Sequence, residues 1–457
     1  MAADRRPFCA EVSAQSAEPL AATASRIDHW VLVEYRGLWA HDPLPGSALS
    51  AEIREHLAAQ VASLPRCRLL FIRRPERRGH SALACFYAES RERGSRLTQL
   101  ELERYDDLLD VDFVHAPGDL RQEPLLVVCT HGKRDRCCAR YGRPLYDALR
   151  DVADEGTVWQ SSHVGGDRFA GNVVCLPEGL YFGRVEPAEA WALFDEYLGG
   201  RISLDHYRGR CCYSFVEQAA ERALREQTGL LGLDDVQVLG AERADGGWDV
   251  RVAAGGAAHQ VHVVAERGDL THLTCSADAL RRPRHYAAVT FRPLEADDLR
   301  LVHAWIQKPH VREWWGEREY ADVEGKYLPA IGGDDPTDHY LILLGGRPIG
   351  FVETYLVSDY PEWEEHVRVG PGVAGVDLFI GEEAFLHRGL GPQVLRQFVR
   401  EVVFADPRVH AVVAAPDVRN RPSIRAFEKA GFVPVRVFEV PGEPAPEQLL
   451  RLDRGDQ

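Results

Sequence analysis

Two thiols, an imidazole and a carboxylate follow one another within a short part of this 457-residue chain. Cys129 and Cys138 lie nine positions apart, with Cys137 as an alternative partner, and His163 and Asp167 follow. Side chains of these types bind zinc or an iron–sulfur cluster, and histidine ligands raise the potential of such a cluster. The cysteines could instead be buried packing residues, with His163 in a turn. The spacing predicts a metal site and leaves these alternatives open.

A second group of residues of a different kind lies near the other end. Asp377 is followed by a glycine-containing run of His387, Arg388, Gly389, Leu390 and Gly391. Glycines at the start of a helix let backbone N–H groups approach an anion, and the helix dipole favours a pyrophosphate there. Asp377 could orient an ammonium group and take its proton, or could be a strand-end cap or ion-pair partner. The chain is therefore expected to hold two functional modules.

The hydrophobic periodicity predicts an α/β pattern that places both groups at the ends of strands. Near the first group, strands are expected at 124–129 and 158–162, and Gly142 to Pro144 is expected to open a helix. Near the second, strands at 374–380 and 411–415 alternate with helices at 388–404 and 423–430. Three alternating segments between 236 and 265 predict an antiparallel meander. Residues 1–28 are expected to be a loosely ordered lead-in, and Cys211 and Cys212 to be packing residues.

Composition limits the classes of function. A chain of this length is expected to form two or three domains. There is no run of eighteen apolar residues and no signal-peptide core, so we expect a cytoplasmic protein without a membrane partner. Ten cysteines in a reducing compartment favour metal or redox chemistry. The net charge of −16 argues against nucleic-acid binding and suits a cationic substrate.

The cysteine and histidine segments, together with Leu180 to Arg184, resemble the sucrase/ferredoxin-like family over residues 8–276, with the meander within 211–276. The resemblance implies a thioredoxin-like ferredoxin fold, a [2Fe-2S] cluster and an electron-transfer partner. Cluster-binding members use two cysteines and a His-x-x-x-His pair. Carried over, this gives Cys129, Cys138 and His163, whereas Asp167 replaces the second histidine.

Residues 289–457, after a linker at 277–288, resemble the GNAT acyl-CoA N-acyltransferases. The matching segments are Phe291–Leu294, His310–Gly316, Arg347–Gly350, Gly375–Leu378 and Glu428–Phe432. The likeness to aminoglycoside 6′-N-acetyltransferases implies a GNAT fold, acetyl-CoA as co-substrate and acetylation of a primary amine on a small polycationic molecule.

Two alternatives to that activity remain. Siderophore lysine and hydroxylysine N-acyltransferases share His303, Trp305 and the run Gly389–Pro392, but tend to have histidine in the place of Asp377. The other alternative is a redox or iron-responsive electron carrier with a regulatory CoA-binding domain.

The GNAT resemblance implies roles for individual residues. Asp377 would take the proton of the amine, and the backbone of His387 to Gly391 would hold the CoA pyrophosphate. Asn420 and Ser423 would contact its pantetheine or adenine end. Phe427 stands where many GNAT enzymes have a proton-donating tyrosine. Tyr355 or water would act instead, or the thiolate would leave unassisted.

Substrate contacts are expected from an aromatic wall and an acidic rim. The wall would comprise Trp314, Trp315 and Tyr327, with core packing as the alternative for the tryptophans, and Glu353 and Tyr355 would also contact substrate. The rim, which could equally be a solvated loop, comprises Asp334, Asp335, Asp338, Asp359, Glu362, Glu364 and Glu365.

Overall fold

The computed structural model describes residues 7–74 and 82–456. The chain folds into two compact units. The first unit comprises the residues up to 239 with 253–257 and 265–286, and the second comprises 240–252, 258–264 and the residues from 287 onward. Both units combine helices with a mixed sheet, which confirms the predicted two-module α/β organisation. None of the described helices has the length and apolar character needed to cross a membrane.

The first unit contains five helices and ten strands among its described residues. The helices are α1 (Cys9–Gln15), α2 (Ala51–Ser63), α3 (Arg136–Val152), α4 (Ala190–Leu198) and α5 (Phe215–Thr228). The strands are β1 (His29–Glu34), β2 (Cys67–Arg73), β3 (Leu83–Glu89), β4 (Arg96–Leu102), β5 (Asp119–Leu120), β6 (Leu125–Cys129), β7 (Val158–Ser161), β8 (Val173–Leu176), β9 (Leu180–Phe182) and β10 (Tyr207–Arg210).

The first sheet has the strand order β10-β9-β8-β6-β7-β2-β1-β3-β4-β5. Strands β6 and β7 are parallel neighbours, so their carboxyl ends meet at the same edge of the sheet. All five residues of β6 are buried, which is expected of a strand covered on both faces. This edge is where the segment from Cys129 and the segment that contains His163 leave the sheet.

Two predictions for the first unit are wrong. Residues 1–6 lie outside the described part, but the rest of the supposed lead-in includes α1, whose Cys9 and Ala10 are buried. The helix expected to open at Gly142 begins earlier, at Arg136, where the Asp135 side chain accepts a hydrogen bond from the Cys137 N–H. Pro144 therefore lies inside the helix and not in its first turn. Cys211 and Cys212 are buried, as expected of packing residues.

Ten strands form the second sheet in the described part of the chain. They are β11 (Val236–Ala244), β12 (Gly247–Ala254), β13 (Ala257–Arg267), β14 (Arg284–Pro293), β15 (Asp338–Leu344), β16 (Arg347–Leu356), β17 (Val373–Ile380), β18 (Ala411–Ala414), β19 (Val433–Phe438) and β20 (Glu447–Asp453). The helices are α6 (Leu299–Ile306), α7 (Pro309–Trp315), α8 (Tyr320–Ile331), α9 (Pro361–Val367), α10 (Leu390–Glu401) and α11 (Arg421–Ala430).

The second sheet has the order β11-β12-β13-β14-β15-β16-β17-β18-β20-β19. The predicted meander therefore forms strands β11 to β13 of this sheet. Most of its residues, 240–252 and 258–264, group with the second unit, whereas the sequence assigned them to the N-terminal region. The predicted end of the N-terminal region at residue 276 and the predicted start of the C-terminal region at residue 289 stay predictions.

The faces of the second sheet differ in what they bury. Val376 of β17 packs into an apolar core with Val394 and Phe398 of α10. On β16 and β17, Phe351 and Phe379 pack in a second cluster with residues of α6, α7 and α8. Strands β17 and β18 are parallel but pair over only three residues, from Val373 to Gly375. Strand β17 continues for five residues beyond that pairing, so a wedge opens between the two strands.

Candidate functional site

A row of polar side chains crosses three neighbouring strands of the second sheet. The register places His339 of β15 opposite Glu353 of β16, and Glu353 opposite Asp377 of β17. Directly opposed residues of antiparallel strands project from the same face, so these three groups form a continuous row. Tyr355, two residues after Glu353, projects from that face and lies opposite Gly375. The sheet itself therefore fixes the relative positions of the candidate base and its neighbours.

Ion pairs shift the pKa values of the carboxyl groups in this row. Nζ of Lys326 in α8 lies 3.3 Å from Oε1 of Glu353, and Nε2 of His339 lies 3.2 Å from Oε2. Burial raises the pKa of Glu353, but these two partners outweigh it and hold the pKa below its ordinary value. Burial and the charge of Glu353 raise the pKa of Asp377 to about 7, against the opposing effects of Lys326 and the Tyr355 hydroxyl. A carboxyl with such a pKa can accept and return a proton near neutrality.

The row faces a cavity of about 280 Å³ with aromatic and acidic walls. Its lining residues are Lys326, Asp335, Thr337, His339, Glu353, Tyr355, Tyr360, Trp363 and Asp377. Three of them are carboxylates and one is a lysine. The Tyr360 hydroxyl donates to Oδ1 of Asp335 at 2.9 Å, which fixes one wall. Aromatic rings combined with excess carboxylates suit an organic cation.

A second cavity, also of about 280 Å³, reaches Asp377 from the side of β18. Tyr355, Trp363 and Asp377 line both cavities. Glu447 lines the second one, and burial together with the charge of Asp377 raises its pKa to about 7. Asp377 lies two residues past Gly375, the last residue of β17 that pairs with β18. It is therefore accessible from two directions, as a group acting between two substrates must be.

The glycine-containing loop leads into α10. Gly389 is the N-cap of this helix and has a φ of +78°, a conformation that L side chains rarely adopt. Because this N-cap residue is glycine, it has no side chain that could cap the N–H groups of the first turn. His387, Arg388 and Gly389 are exposed or half-buried, whereas Leu390 is buried and anchors the helix. The first N–H groups of a helix have no partner within the helix, and helix N-termini of this kind can bind anions.

The aromatic rings that line the cavity are not the three that were predicted to form an aromatic wall. Trp315 packs with its ring centroid 4.9 Å from that of Phe379, and Tyr327 is fully buried with its ring 4.9 Å from that of His339. Trp314 is half-buried, and none of these three predicted residues lines the cavity. Trp315 and Tyr327 pack toward the sheet from α7 and α8, and contact of any of the three residues with a substrate stays a prediction.

The predicted contacts on α11 have structural roles. Oδ1 of Asn420 accepts a hydrogen bond from the Ser423 N–H at 3.1 Å and so caps the helix. Phe427 is buried with its ring 5.1 Å from that of Phe432. Contact of Asn420 or Ser423 with a bound ligand stays a prediction.

The residues of the predicted acidic rim have different surroundings in the structure. Asp335 lines the cavity, whereas Oε1 of Glu364 accepts the N–H groups of Val369 and Gly370 at 3.1 and 2.8 Å. Sequence reasoning missed five residues around Asp377: Lys326, His339, Tyr360, Trp363 and Glu447. They belong to no local motif. Only the strand register, indicated by the alternation within β15 and β16, could have related His339 to Asp377.

In the first unit, the predicted metal ligands converge. One ligand atom each from Cys129, Cys138 and His163 lies within 4.8 Å of the others. Cys129 ends β6, Cys138 is in the first turn of α3, and His163 follows β7. Gly142 lets α3 approach the strand, because a Cβ there would lie 2.0 Å from the carbonyl oxygen of Cys129. Cys137, the alternative partner, contacts other thiols instead.

The charges of this site are coupled. A hydrogen bond with Cys138 holds the pKa of Cys129 well below its usual value, against the effect of burial. Burial lowers the pKa of His163, but Asp167 and Cys129 raise it more, to about 9. Oδ1 of Asp167 lies 2.9 Å from Nδ1 of His163 and accepts from the Cys138 thiol at 3.2 Å.

The hydrogen bonds of these donors show how well they fit a metal centre. Although Oδ1 of Asp167 is near, the buried Nδ1 of His163 has no aligned hydrogen-bond partner among the described residues. Two thiols and an imidazole nitrogen thus fit three ligand positions. The carboxylate of Asp167 is close to this set but engaged by His163 and Cys138.

Comparisons with known proteins identify both parts of the chain. The family model described as acetyltransferase (GNAT) domain matches residues 295–440, and the model described as sucrase/ferredoxin-like matches residues 20–209. The aminoglycoside N(6′)-acetyltransferase type 1 of Klebsiella pneumoniae is 34% identical over 164 residues, which cover 35% of this chain and 80% of that protein.

Two further relatives match the same part. The lysine N-acyltransferase MbtK of Mycolicibacterium paratuberculosis is 26% identical over 174 residues, covering 36% of this chain and 75% of that protein. A crystal structure of the aminoglycoside acetyltransferase AAC(6′)-Ib with coenzyme A is 33% identical, with a TM-score of 0.34, and covers 37% of this chain and 96% of that one.

Proposed function

The chain belongs to the acetyltransferase (GNAT) family, and from this premise we propose that it transfers the acetyl group of acetyl-CoA to a primary amine of a small polycationic, aminoglycoside-like molecule. The observation that carries the proposal is the position of the Asp377 carboxyl, which has a pKa of about 7 and is accessible from two cavities. The cavity lined by Asp335 and Glu353, the acceptor cavity, would take the amine. The cavity lined by Glu447 would take the thioester.

The acceptor cavity matches a polycation in its charge and its walls. Glu353 and Asp335 supply negative charge beside Asp377, and the rings of Tyr360 and Trp363 supply flat apolar surface. Carboxylates attract ammonium groups, and ring faces bind both cations and sugar-like rings. A molecule with several amino groups can contact more than one of these carboxylates at once.

The thioester is assigned to the wedge between β17 and β18. The pairing of these strands ends at Gly375, so the backbone of β17 beyond it can hydrogen-bond an extended ligand. The first turn of α10 after Gly389 would bind the pyrophosphate through its N–H groups. An acyl chain laid along this path would place its carbonyl near Asp377.

The chemistry requires few groups. Asp377, ionised above its pKa, accepts a proton from the ammonium, and the freed nitrogen lone pair attacks the thioester carbonyl carbon. The new C–N bond forms as the C–S bond breaks, the electron pair leaves with the thiolate, and the nitrogen gives up its second proton to solvent. The Tyr355 hydroxyl, which lowers the pKa of Asp377 and lines both cavities, is one candidate to protonate that thiolate, and water is the other. Holding both reactants at this point supplies much of the rate.

The decisive experiment measures thiol release from acetyl-CoA with aminoglycosides, polyamines and N6-hydroxylysine as acceptors. Asp377→Asn should lower kcat/KM for the best acceptor by about a hundredfold or more, the range of a lost general base. Asp297→Asn, which makes the same change at an exposed carboxylate outside both cavities, is the matched control. Unchanged turnover in Asp377→Asn would refute the proposed mechanism.

The acceptor panel also separates the alternatives. The similarity to a lysine N-acyltransferase favours a siderophore-type amine as the second candidate. Turnover only with N6-hydroxylysine would select that function. No turnover with any acceptor would favour an electron carrier in which the GNAT domain only binds CoA.

For the first unit, we propose that Cys129, Cys138 and His163 hold a [2Fe-2S] cluster, with Asp167 in the fourth position. Such a cluster supplies one-electron transfer when bound, which would require an electron-transfer partner. The chain contributes a thiol of low pKa at Cys129, which favours the thiolate form that ligates such a cluster, and the N-terminus of α3, whose dipole favours negative charge.

Iron and sulfide analysis of anaerobically prepared protein tests this site. We expect iron and a visible absorption band that Cys129→Ser removes. Asp167→His should slow loss of the cluster in air, because imidazole is a better ligand for it than a carboxylate. Wild-type and Asp167→His proteins that are both colourless and iron-free would exclude the cluster, and zinc that Cys129→Ser removes would replace it with the competing assignment.

A further inference from the structure

Three cysteines from distant parts of the chain meet beside the first turn of α3. The Sγ atoms lie 3.5 Å apart for Cys9 and Cys137, 3.2 Å for Cys137 and Cys275, and 3.6 Å for Cys275 and Cys9. We propose that Cys9, Cys137 and Cys275 bind one zinc ion, with the carboxylate of Asp135 beside the fourth ligand position.

The spacing of the sulfur atoms selects a single ion. Thiolates about 2.3 Å from a tetrahedral Zn²⁺ are separated from one another by about 3.8 Å. The three observed separations lie a few tenths of an ångström below that value, so small side-chain movements suffice. Cysteines that ligate different irons of a cluster lie further apart, and a cluster therefore does not fit.

Backbone N–H groups point at two of the three thiols, an arrangement that suits thiolate ligands. The N–H of Ala10 donates to Sγ of Cys137 at 3.5 Å, and the N–H of Cys9 donates to Sγ of Cys275 at 3.5 Å. Cys137 is also in the first turn of α3, where the helix dipole stabilises a thiolate.

Asp135 holds the cysteines in place and supplies an oxygen donor. Its Oδ1 accepts the N–H of Cys137 at 2.8 Å, and its Oδ2 accepts the N–H of Cys275 at 2.6 Å. The nearer of these oxygens lies 3.8 Å from Sγ of Cys9. Three thiolates with a hard oxygen beside them suit Zn²⁺, whereas Cu(I) prefers sulfur alone.

This group is separate from the proposed cluster site. Cys137 and Cys138 are adjacent in sequence, but Cys137 contacts Cys9 and Cys275, whereas Cys138 contacts Asp167. The zinc site would join α1 and residue 275 to the N-terminus of α3. It would therefore be structural, since each thiol comes from a different segment and the ion would tie the three segments together.

Metal analysis of the full-length protein tests the proposal. Protein purified with reductant and without chelator, then dialysed against EDTA, should retain about one zinc per chain, as closed thiolate sites do. Cys9→Ser and Cys275→Ser should reduce zinc about tenfold or more, whereas Cys129→Ser should retain it. Cys67→Ser, a half-buried thiol outside both groups, is the matched control. Zinc lost equally from the control, or lost only with Cys129→Ser, would overturn the assignment.

A second measurement covers variants that fail to fold. In wild-type protein, zinc should protect Cys9, Cys137 and Cys275 from alkylation, and its removal by a chelator that binds zinc more tightly than EDTA does should expose them together. Cobalt(II) substituted for zinc should give tetrahedral d–d bands and thiolate charge transfer. Copper in place of zinc, or a disulfide between two of the three cysteines in freshly isolated protein, would refute the zinc site.

Discussion

The carboxyl of Asp377 is tuned by two neighbours of opposite charge. Glu353 raises its pKa, and Lys326 lowers it, in addition to the larger effect of burial. Lys326 also pairs with Glu353, so the three groups form one electrostatic unit on one face of the sheet. Asp377 has to be ionised to accept a proton. The pH dependence of acetyl transfer therefore reports the charges around it.

We predict that kcat/KM rises with pH through about 7, where Asp377 ionises. Glu353→Gln removes a charge that raises this pKa, so the ascending limb should move to lower pH. Lys326→Met removes a charge that lowers it, so the limb should move to higher pH. Steady-state rates of thiol release across the pH range provide the measurement.

Asp297→Asn serves as the control for this pair, because it removes an exposed carboxylate outside the row and should leave the limb in place. Shifts of the same sign in Glu353→Gln and Lys326→Met would show that another group governs the profile.

At the scale of elements, the strand register creates the site. Gly375 lies opposite Tyr355, whose ring lies against the glycine, and a Cβ at that position would lie 2.4 Å from the ring. The absence of a side chain at this position of β17 thus lets Tyr355 lie beside Asp377, where both cavities meet.

Gly375→Ala should displace Tyr355 and lower kcat, while overpacking costs about 1–3 kcal/mol of unfolding free energy. Thermal unfolding and steady-state kinetics measure the two effects. Gly325→Ala is the matched control, because Gly325 lies in α8 with open space around it and gains helix propensity of about 0.5–1 kcal/mol. Unchanged kcat in Gly375→Ala would show that the position of Tyr355 does not matter for transfer.

The sequence predicted those elements and residues that belong to local patterns. Cys129, Cys138, Asp377 and the Gly389 loop lie within short motifs, and the strands around them have clear periodicity. Lys326 and His339 could not be found, because a cross-strand register and helix docking bring them to Asp377 from distant positions. Cys9 escaped for the same reason, and because its segment has the composition of a loose terminus.

At the scale of the whole molecule, the charge balance favours one class of substrate. The chain has 70 acidic and 54 basic residues. The acceptor cavity repeats that excess locally, with Asp335, Glu353 and Asp377 against Lys326. A field of this sign attracts a cationic substrate over distances that salt can screen, since the Debye length falls to about 10 Å at 0.1 M salt.

This field should appear as a salt dependence of capture rather than of chemistry. Between about 0.02 and about 0.5 M NaCl, kcat/KM for a polycationic acceptor should fall by about tenfold, a modest part of the range that steering provides. The kcat value should change little, because at saturation the substrate is already bound. A monoamine acceptor provides the comparison and should show a weaker slope, since it carries one charge. Asp335→Asn should flatten the slope for the polycation by removing one lining carboxylate. Equal slopes for the monoamine and the polycation would contradict a binding site suited to multiple charges and would favour acceptors recognised through a single amino group.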